Sequence, residues 1–272
     1  MTGSIQLDRN GALARLTLYN PGKFNSLTRV MWRELRGHFE AFQTDDTLRC
    51  IVIQGNGDHF CSGGDIEEYP SFRFEEASLR DFHENDVWGG LNAMLQCDVP
   101  TIALIDGYCM GAGLEIASCS DLRLSSAAAK FGAPIGRLGF PMAPKEAALV
   151  TDAVGLNTAR AMLLAAAVLD SSHMLACGFL HEVCPSALLA SRGDSWVQSV
   201  TGLAPQAARR NKQTLRAYRQ RGNASILAPD VVEMRGCEAV SIDGTAYSYA
   251  PSAEHREGIE AFLAKRKPNF ES

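Results

Sequence analysis

Two glycine-rich segments and one glutamate are the parts of this sequence best suited to chemistry. The first segment, residues 60–66, follows the β-branched run at 51–53, and the second, residues 107–115, follows the apolar run at 102–105. Glycine lets a ligand approach the backbone closely, and the free N–H groups at the start of a helix favour negative charge. Either segment alone is more typical of a tight turn. Together they predict that one backbone N–H from each segment holds a single ligand oxygen.

Glu115 ends the second segment and lies among the apolar residues Leu114, Ile116 and Ala117. A carboxylate in apolar surroundings costs free energy unless it is paired or used in chemistry. Partial burial would raise its pKa and suit Glu115 to proton transfer near neutral pH. Glu115 is therefore a candidate acid/base, and the alternative is a glutamate stabilised by the dipole at a helix N-terminus.

Hydrophobic periodicity predicts the strands that must position these residues. Four strands are predicted, at residues 11–18, 50–53, 102–105 and 122–124, and residues 5–7 suit a hairpin partner for the first. Helical patterns separate them, and such alternation predicts an α/β fold with parallel strands. Because the carboxyl ends of parallel strands meet at one sheet edge, where ligands bind, both glycine segments should lie together there.

Helical patterns fill much of the remaining chain. The spacing of Met31, Leu35, Phe39 and Phe42 predicts an amphipathic helix with its apolar stripe facing inward. The charged residues between 72 and 95 predict a solvated helix or a mobile cover. Beyond about residue 143 the composition favours helix, and the last ~70 residues predict a helical extension.

Composition excludes several classes of protein. The chain has 272 residues with 26 basic and 31 acidic side chains, and its net charge of -5 argues against nucleic acid as a partner. Its longest apolar run, 161–169, is far shorter than the ~20 residues that a bilayer needs, and its N-terminus has no secretory pattern. Eight cysteines without a CxxC pair predict buried free thiols in a reducing cytoplasm, and no metal site.

The catalytic signatures of several other enzyme classes are absent from the sequence. It contains no GxxxxGK[ST] phosphate loop, no HExxH zinc helix and no GxSxG nucleophile elbow. The six histidines are scattered along the chain. Each is therefore predicted to be a surface or core residue rather than a catalyst.

A series of motifs resembles the crotonase, or enoyl-CoA hydratase/isomerase, superfamily. The motifs occur in order over nearly the whole chain, at residues 20–27, 60–66, 100–107, 111–115, 121, 131–134, 257–262 and 265–270. Any one of them alone would be weak evidence. Together, at suitable spacing, they are highly specific for that superfamily.

The resemblance implies an acyl-CoA thioester as substrate, with its oxygen held by two backbone N–H groups that match Gly64 and Ala112 by position. Glu115 matches one of the two glutamates of a hydratase, and no metal, flavin or nicotinamide cofactor is implied. The resemblance assigns further residues to the acyl-CoA path: Lys23 or Phe24 near the adenine end, and Ser62, Asp65, Ile66, Met110, Gly111, Pro134 and Ile135.

The resemblance also implies the architecture and the assembly. The expected fold is a crotonase-like spiral of ββα units, an α/β core that binds acyl-CoA over residues 1–200. Residues 201–272 are expected to form a helical region that assembles a homotrimer or a hexamer built as a dimer of trimers. A cytoplasmic enzyme of fatty acid metabolism is the setting that this implies.

Ile135 departs from the family pattern, because a typical hydratase has its second glutamate at this position. The loss of one acid/base group typically lowers a rate by ~10²–10⁴. A replacement acid could come from the charged segment, with Glu68, Asp81 or Glu84 as candidates, and the alternative for each is a solvent-exposed side chain. Hydration of a 2-enoyl-CoA is the leading prediction. The alternatives are double-bond isomerisation, another enolate reaction such as decarboxylation, or a non-catalytic acyl-CoA binder.

Overall fold

The computed structural model describes residues 3–226 and 249–270. The chain forms two compact units, residues 1–198 and 199–272. All twelve residues that the sequence assigns to the site belong to the first unit. Within the described ranges no helix is both long and apolar enough to cross a membrane.

The strands of the described ranges form two sheets. In chain order they are β1 (Ser4–Asn10), β2 (Leu13–Tyr19), β3 (Cys50–Gly55), β4 (Thr101–Ile105), β5 (Tyr108–Met110), β6 (Leu122–Ser126), β7 (Lys130–Gly132), β8 (Val168–Asp170) and β9 (Glu182–Cys184).

The helices of the described ranges include both long and very short ones. In chain order they are α1 (Arg29–Gln43), α2 (Glu76–Asp81), α3 (Trp88–Gln96), α4 (Ala112–Cys119), α5 (Pro144–Val154), α6 (Leu156–Ala165), α7 (Ser171–Ala176), α8 (Ser186–Thr201), α9 (Pro205–Ile226) and α10 (Ala253–Leu263). Two 3₁₀ turns (Ile66–Ser71 and Ile135–Leu138) and a π-helix (Phe82–Val87) complete the set.

The larger sheet has the strand order β1-β2-β3-β4-β6-β9. β1 and β2 form the predicted antiparallel hairpin, and every later neighbour pair in this sheet is parallel. Residues 50–53 of β3 are all buried, as expected of a strand covered on both faces. The predicted α/β fold is confirmed, and the adjacent strands β3 and β4 bring both glycine segments to one sheet edge.

The smaller sheet contains β5, β7 and β8, with β5 parallel and β8 antiparallel to the central β7. Each of these strands has only three residues, as does β9. A three-residue strand is too short for an alternating pattern to appear, so the sequence predicts none of the four. β5 matters for the site because it leads directly into α4.

Helix α1 forms as the periodicity predicts. Thr28 caps its N-terminus, with the side-chain oxygen accepting a hydrogen bond from Met31 N at 3.2 Å. The predicted stripe is buried, and Trp32 is buried with it. Helix α3 crosses α1 closely at Gly90, where a Cβ atom would lie 3.0 Å from Trp32 Cε3.

The prediction for residues 72–95 is wrong in its main point, because the segment forms part of the core. Phe72, Phe82, Val87 and Leu91 are all buried in the main hydrophobic cluster. The charged residues that suggested a solvated cover lie mostly on its outer side. Asp86 is the exception, since it is buried against two arginines of α1.

The second unit contains α9 and α10, and residues 227–248 of the predicted helical region lie outside the described residues. Gln206 N at the start of α9 donates to Glu254 Oε2 of α10 at 3.1 Å. Seven cysteines are described, all as free thiols and six of them buried, whereas Cys237 lies outside the described residues.

Candidate active site

The first glycine segment is held by hydrogen bonds on both sides of Gly64. Leu27 N donates to Gly63 O at 2.8 Å, and Asp65 N donates to Leu27 O at 2.8 Å. Gly64 lies between these two bonds, and its own N–H donates no hydrogen bond within the described part of the chain. This N–H is therefore available to a ligand.

A short parallel bridge between Cys61 and Cys109 joins the first segment to the second. Cys61 N donates to Tyr108 O at 2.7 Å, and Met110 N donates to Cys61 O at 2.9 Å. Gly113 packs against the same cysteine, since a Cβ atom there would lie 2.8 Å from Cys61 Cβ. These contacts fix the spacing between the two segments.

Ala112 is the first residue of α4, so its N–H has no partner inside the helix. Among the described residues it donates no other hydrogen bond either. Gly111 before it has a φ of 46°, in the left-handed region that favours glycine, and its N–H donates to Gly132 O at 2.9 Å. This turn points the start of α4 towards the first segment.

Both free N–H groups border one cavity of about 320 Å³. The structure brings most of the predicted residues together in its wall: Ser62, Gly64, Ile66, Met110, Gly111, Ala112, Glu115, Pro134 and Ile135.

Lys23, Phe24 and Asp65 do not line this cavity but lie beside the first segment. Lys23 Nζ forms ion pairs at 2.8 Å with both Asp65 and Glu67. Phe24 is 56% exposed, and its carbonyl accepts a hydrogen bond from Ser62 N at 3.0 Å. The place of Lys23 or Phe24 near the adenine end of CoA, and that of Asp65 along the CoA path, stay predictions.

Glu115 faces the cavity from the first turn of α4 and is only 8% exposed. Burial raises the pKa of Glu115 well above its usual range, and the negative charge of Glu146 raises it further. The side chain is therefore suited to hold a proton near neutral pH and to release it to a reacting atom.

Glu146 is a second buried carboxyl group in the cavity wall, which the sequence analysis did not identify. It lies in the first turn of α5, on the buried face that also carries Leu149 and Val150. A glutamate at i, with apolar residues at i+3 and i+4, was the signal that could have found it. Glu146 thus brings a second carboxyl group to the cavity, which Ile135 cannot do.

His83 and Arg73 extend from Glu146 as a short chain of polar contacts. His83 Nδ1 lies 3.1 Å from Glu146 Oε1, and Arg73 Nη1 lies 3.4 Å from His83 Nε2. Arginine can only donate, so His83 Nε2 must accept, which leaves the hydrogen on Nδ1 to be donated to Glu146. His83 also lines the cavity. That each histidine is a surface or core residue rather than a catalyst stays a prediction.

Tyr69 links the first segment to this chain of contacts. A Cβ atom on Gly64 would lie 2.2 Å from Tyr69 Oη, so the hydroxyl occupies the space that the glycine leaves. Burial raises the pKa of Tyr69 to about 12, which keeps the hydroxyl neutral. The Arg73 guanidinium lies 4.5 Å from the Tyr69 ring centroid and 3.8 Å from that of Phe140.

The three candidates for a replacement acid lie outside the cavity wall, and Asp81 and Glu84 are exposed, as the alternative interpretation of these residues expects. Glu68 Oε2 accepts a hydrogen bond from Arg29 N at 2.8 Å, and Asp81 pairs with the side chain of Arg29 at 3.0 Å. Glu84 is exposed and pairs with Lys145. None of the three lines the cavity. Glu68 is held by a backbone N–H, whereas Asp81 and Glu84 are each paired with a cation.

Comparison with known proteins identifies the family of this chain. The sequence model of the enoyl-CoA hydratase/isomerase family matches residues 8–272. The chain belongs to the enoyl-CoA hydratase/isomerase family. It is 30% identical to a solved enoyl-CoA hydratase/carnithine racemase from Magnetospirillum magneticum, with a TM-score of 0.86 and coverage of 98% of this chain and 95% of the other.

Curated relatives of this enzyme are similar over almost their whole length. A probable enoyl-CoA hydratase of Mycobacterium tuberculosis is 26% identical over 267 residues, or 98% of this chain and 97% of the relative. The 2,3-dehydroadipyl-CoA hydratase of Escherichia coli is 28% identical, with 97% of each chain covered. The predicted family and crotonase fold are thus confirmed. The exact reaction is inferred below from the geometry of the site.

Proposed function

We propose that this enzyme adds water reversibly across the double bond of a 2-enoyl-CoA thioester. The observation that carries the proposal is the meeting of two buried carboxyl groups, Glu115 and Glu146, in one cavity with two free backbone N–H groups. The names of the curated relatives support the same reaction class.

The two N–H groups would act on the thioester oxygen. When water attacks C3 of the substrate, the electrons of the C2–C3 double bond move towards the thioester and its oxygen becomes negatively charged. The N–H groups of Gly64 and Ala112, held by the paired segments, would stabilise this enolate. Each such donor typically contributes about 3 kcal/mol to the transition state.

The two carboxyl groups would divide the proton transfers. Glu146 accepts a hydrogen bond from His83, which orients the carboxyl group, so we assign it the proton of the attacking water. Glu115, whose pKa is raised by burial, would deliver its proton to C2 as the enolate collapses. The products are the 3-hydroxyacyl-CoA, a protonated Glu146 and an ionised Glu115, and exchange with solvent resets both groups.

Double-bond isomerisation is the second candidate, because it needs the same two carboxyl groups of the cavity wall. The same carboxyl groups could remove a proton from one carbon and return it to another without holding water. The two reactions give different products from the same thioester, so product analysis separates them.

The decisive experiment is hydration of crotonyl-CoA by the natural chain and by the variants Glu115→Gln and Glu146→Gln. Both substitutions are expected to lower kcat by ~10²–10⁴. Glu84→Gln serves as the matched control, because Glu84 is exposed and outside the cavity, and its rate should not change. Full activity in Glu146→Gln would remove Glu146 from the mechanism. Thioester binding without hydration or isomerisation by the natural chain would favour a binding protein.

A further inference from the structure

Arg73 is a cation in the cavity wall that forms no ion pair among the described residues. Its guanidinium is partly buried, and burial lowers the pKa of Arg73. Partly buried charges in proteins are usually paired, because an unpaired one loses hydration without compensation. Arg137 also lines the cavity, but it is exposed to solvent and makes a weaker contact, at 3.4 Å, with Ala166 O.

The contacts of Arg73 leave its donors free to face a ligand. The rings of Phe140 and Tyr69 approach the guanidinium at 3.8 and 4.5 Å, measured from Cζ to the ring centroids. Such contacts support the flat group and restrict its motion while most of its N–H groups remain unused. The one side-chain acceptor within reach among the described residues is His83 Nε2, at 3.4 Å. A planar guanidinium held in this way matches the geometry of a carboxylate.

The position of Arg73 relative to Gly64 sets what part of a substrate would reach it. The Tyr69 hydroxyl packs against Gly64, and the ring of the same residue packs against the guanidinium. The cation is thus about one aromatic side chain away from the N–H group proposed to hold the thioester oxygen. An acyl chain that begins at that oxygen and extends past Tyr69 would bring its far end to Arg73.

We propose that Arg73 binds a carboxylate at the far end of the acyl chain, so that the preferred substrates are short dicarboxylic enoyl-CoA thioesters. This inference rests on the proposed function for the thioester and its reaction. A neutral chain end would displace water from the guanidinium and give no hydrogen bond in return. A carboxylate would neutralise the charge and accept hydrogen bonds from it.

The test compares two substrates of equal length, trans-2-hexenoyl-CoA and its six-carbon counterpart with a terminal carboxylate. We expect the natural chain to prefer the dicarboxylate, and Arg73→Gln to lower kcat/KM for it by roughly 10- to 100-fold more than for hexenoyl-CoA, the range that a hydrogen bond to a charged group gives. Arg73→Lys, which keeps the charge but loses the planar fork, should give an intermediate loss. Arg80→Gln is the control, since Arg80 is exposed, pairs with Glu76 and lies outside the cavity.

An equal loss for both substrates in Arg73→Gln would overturn the inference, since it would mean that Arg73 acts only through His83 and Glu146. The proposed hydration would then stand. Failure of the natural chain to turn over either substrate would refute the proposed function instead. In that case calorimetric binding of adipyl-CoA and hexanoyl-CoA decides the inference: a preference for adipyl-CoA that disappears in Arg73→Gln or Arg73→Lys supports it, and equal binding refutes it.

Discussion

Gly64→Ala tests whether the first glycine segment supplies a catalytic N–H. The added methyl carbon would lie 2.2 Å from Tyr69 Oη, 3.2 Å from Cζ and 3.4 Å from Cε1. The first distance is far inside van der Waals contact. Tyr69 cannot swing away freely, because Arg73 and Phe140 pack against its ring at 4.5 and 6.0 Å from its centroid. The clash must therefore move the segment, the ring or both.

The expected magnitude follows from what Gly64 does in the proposed reaction. A shift of the segment moves its N–H away from the oxygen that becomes negative, and the loss of one such donor lowers kcat by about 10²–10³. KM should change much less, because the hydrogen bond is strongest in the transition state. The overpacking itself should cost about 1–3 kcal/mol of stability.

The assay is hydration of crotonyl-CoA by Gly64→Ala, by Tyr69→Phe and by the double variant. Removing the hydroxyl leaves ring carbon Cζ as the nearest atom, at 3.2 Å from the new methyl group, a contact that a shift of a few tenths of an ångström relieves. The double variant should therefore recover at least about tenfold in kcat over Gly64→Ala, a coupling that a double-mutant cycle measures. Gly37→Ala, with no atom within 4 Å of its new methyl group, is the control for adding a methyl group.

Two results would refute this reasoning. If Gly64→Ala keeps the full kcat while its Tm falls, the segment has moved and its N–H is not the donor. If the double variant is no faster than Gly64→Ala, the steric account of the defect fails. Gly37→Ala should keep its activity and gain up to ~1 kcal/mol, because Gly37 lies inside helix α1.

Three further predictions concern pH, folding and assembly. Because the pKa of Glu115 is raised in the folded state, its contribution to stability is complete below its unfolded pKa and is lost as pH rises through the folded pKa. The urea midpoint of the natural chain should therefore fall, relative to that of Glu115→Gln, as pH increases. Midpoints that change equally with pH in the two proteins would contradict this. Asp86→Asn should lower the free energy of unfolding by about 2 kcal/mol in urea titrations, since Asp86 is buried against Arg29 and the more exposed Arg33. Phe262 is 82% exposed on α10, so Phe262→Glu should shift the mass measured by light scattering from the predicted trimer or hexamer towards monomer, whereas an unchanged mass would exclude this face.

The elements that the sequence predicts well are those with a long, one-sided pattern. Helix α1 carries four apolar residues one turn apart, and β2 alternates between buried and less buried positions along its whole length. Such patterns survive because each element packs one face against a single core. The strands β5, β7, β8 and β9 have only three residues each and show no such pattern. Their pairing depends on tertiary contacts, which hydrophobic periodicity does not predict.

In the candidate site, the sequence predicts the backbone features but not the contacts between distant side chains. Backbone features are visible in the sequence, because glycine at positions such as Gly64 and Gly111 indicates a tight approach or a left-handed turn. Contacts between side chains that are distant in the sequence cannot be recognised in this way. His83 and Glu146, for example, are 63 residues apart in the chain. Charge misled the interpretation of residues 72–95, because several acidic side chains face outward from a segment whose other side is core.

Because the second carboxyl group of the cavity is Glu146, residues 72–95 help to position it. A glutamate at position 135 would depend on the 3₁₀ turn that holds it, whereas Glu146 depends on His83 and, through it, on Arg73. Both partners lie in residues 72–95, and the ring of His83 packs against the buried side chain of Phe82 at 5.1 Å between ring centroids. A cover that opened with each turnover would separate His83 from Glu146 and leave the anion without its donor. The burial of Phe82 in the core therefore argues that residues 72–95 are a fixed wall of the cavity, which would orient Glu146 in the proposed reaction.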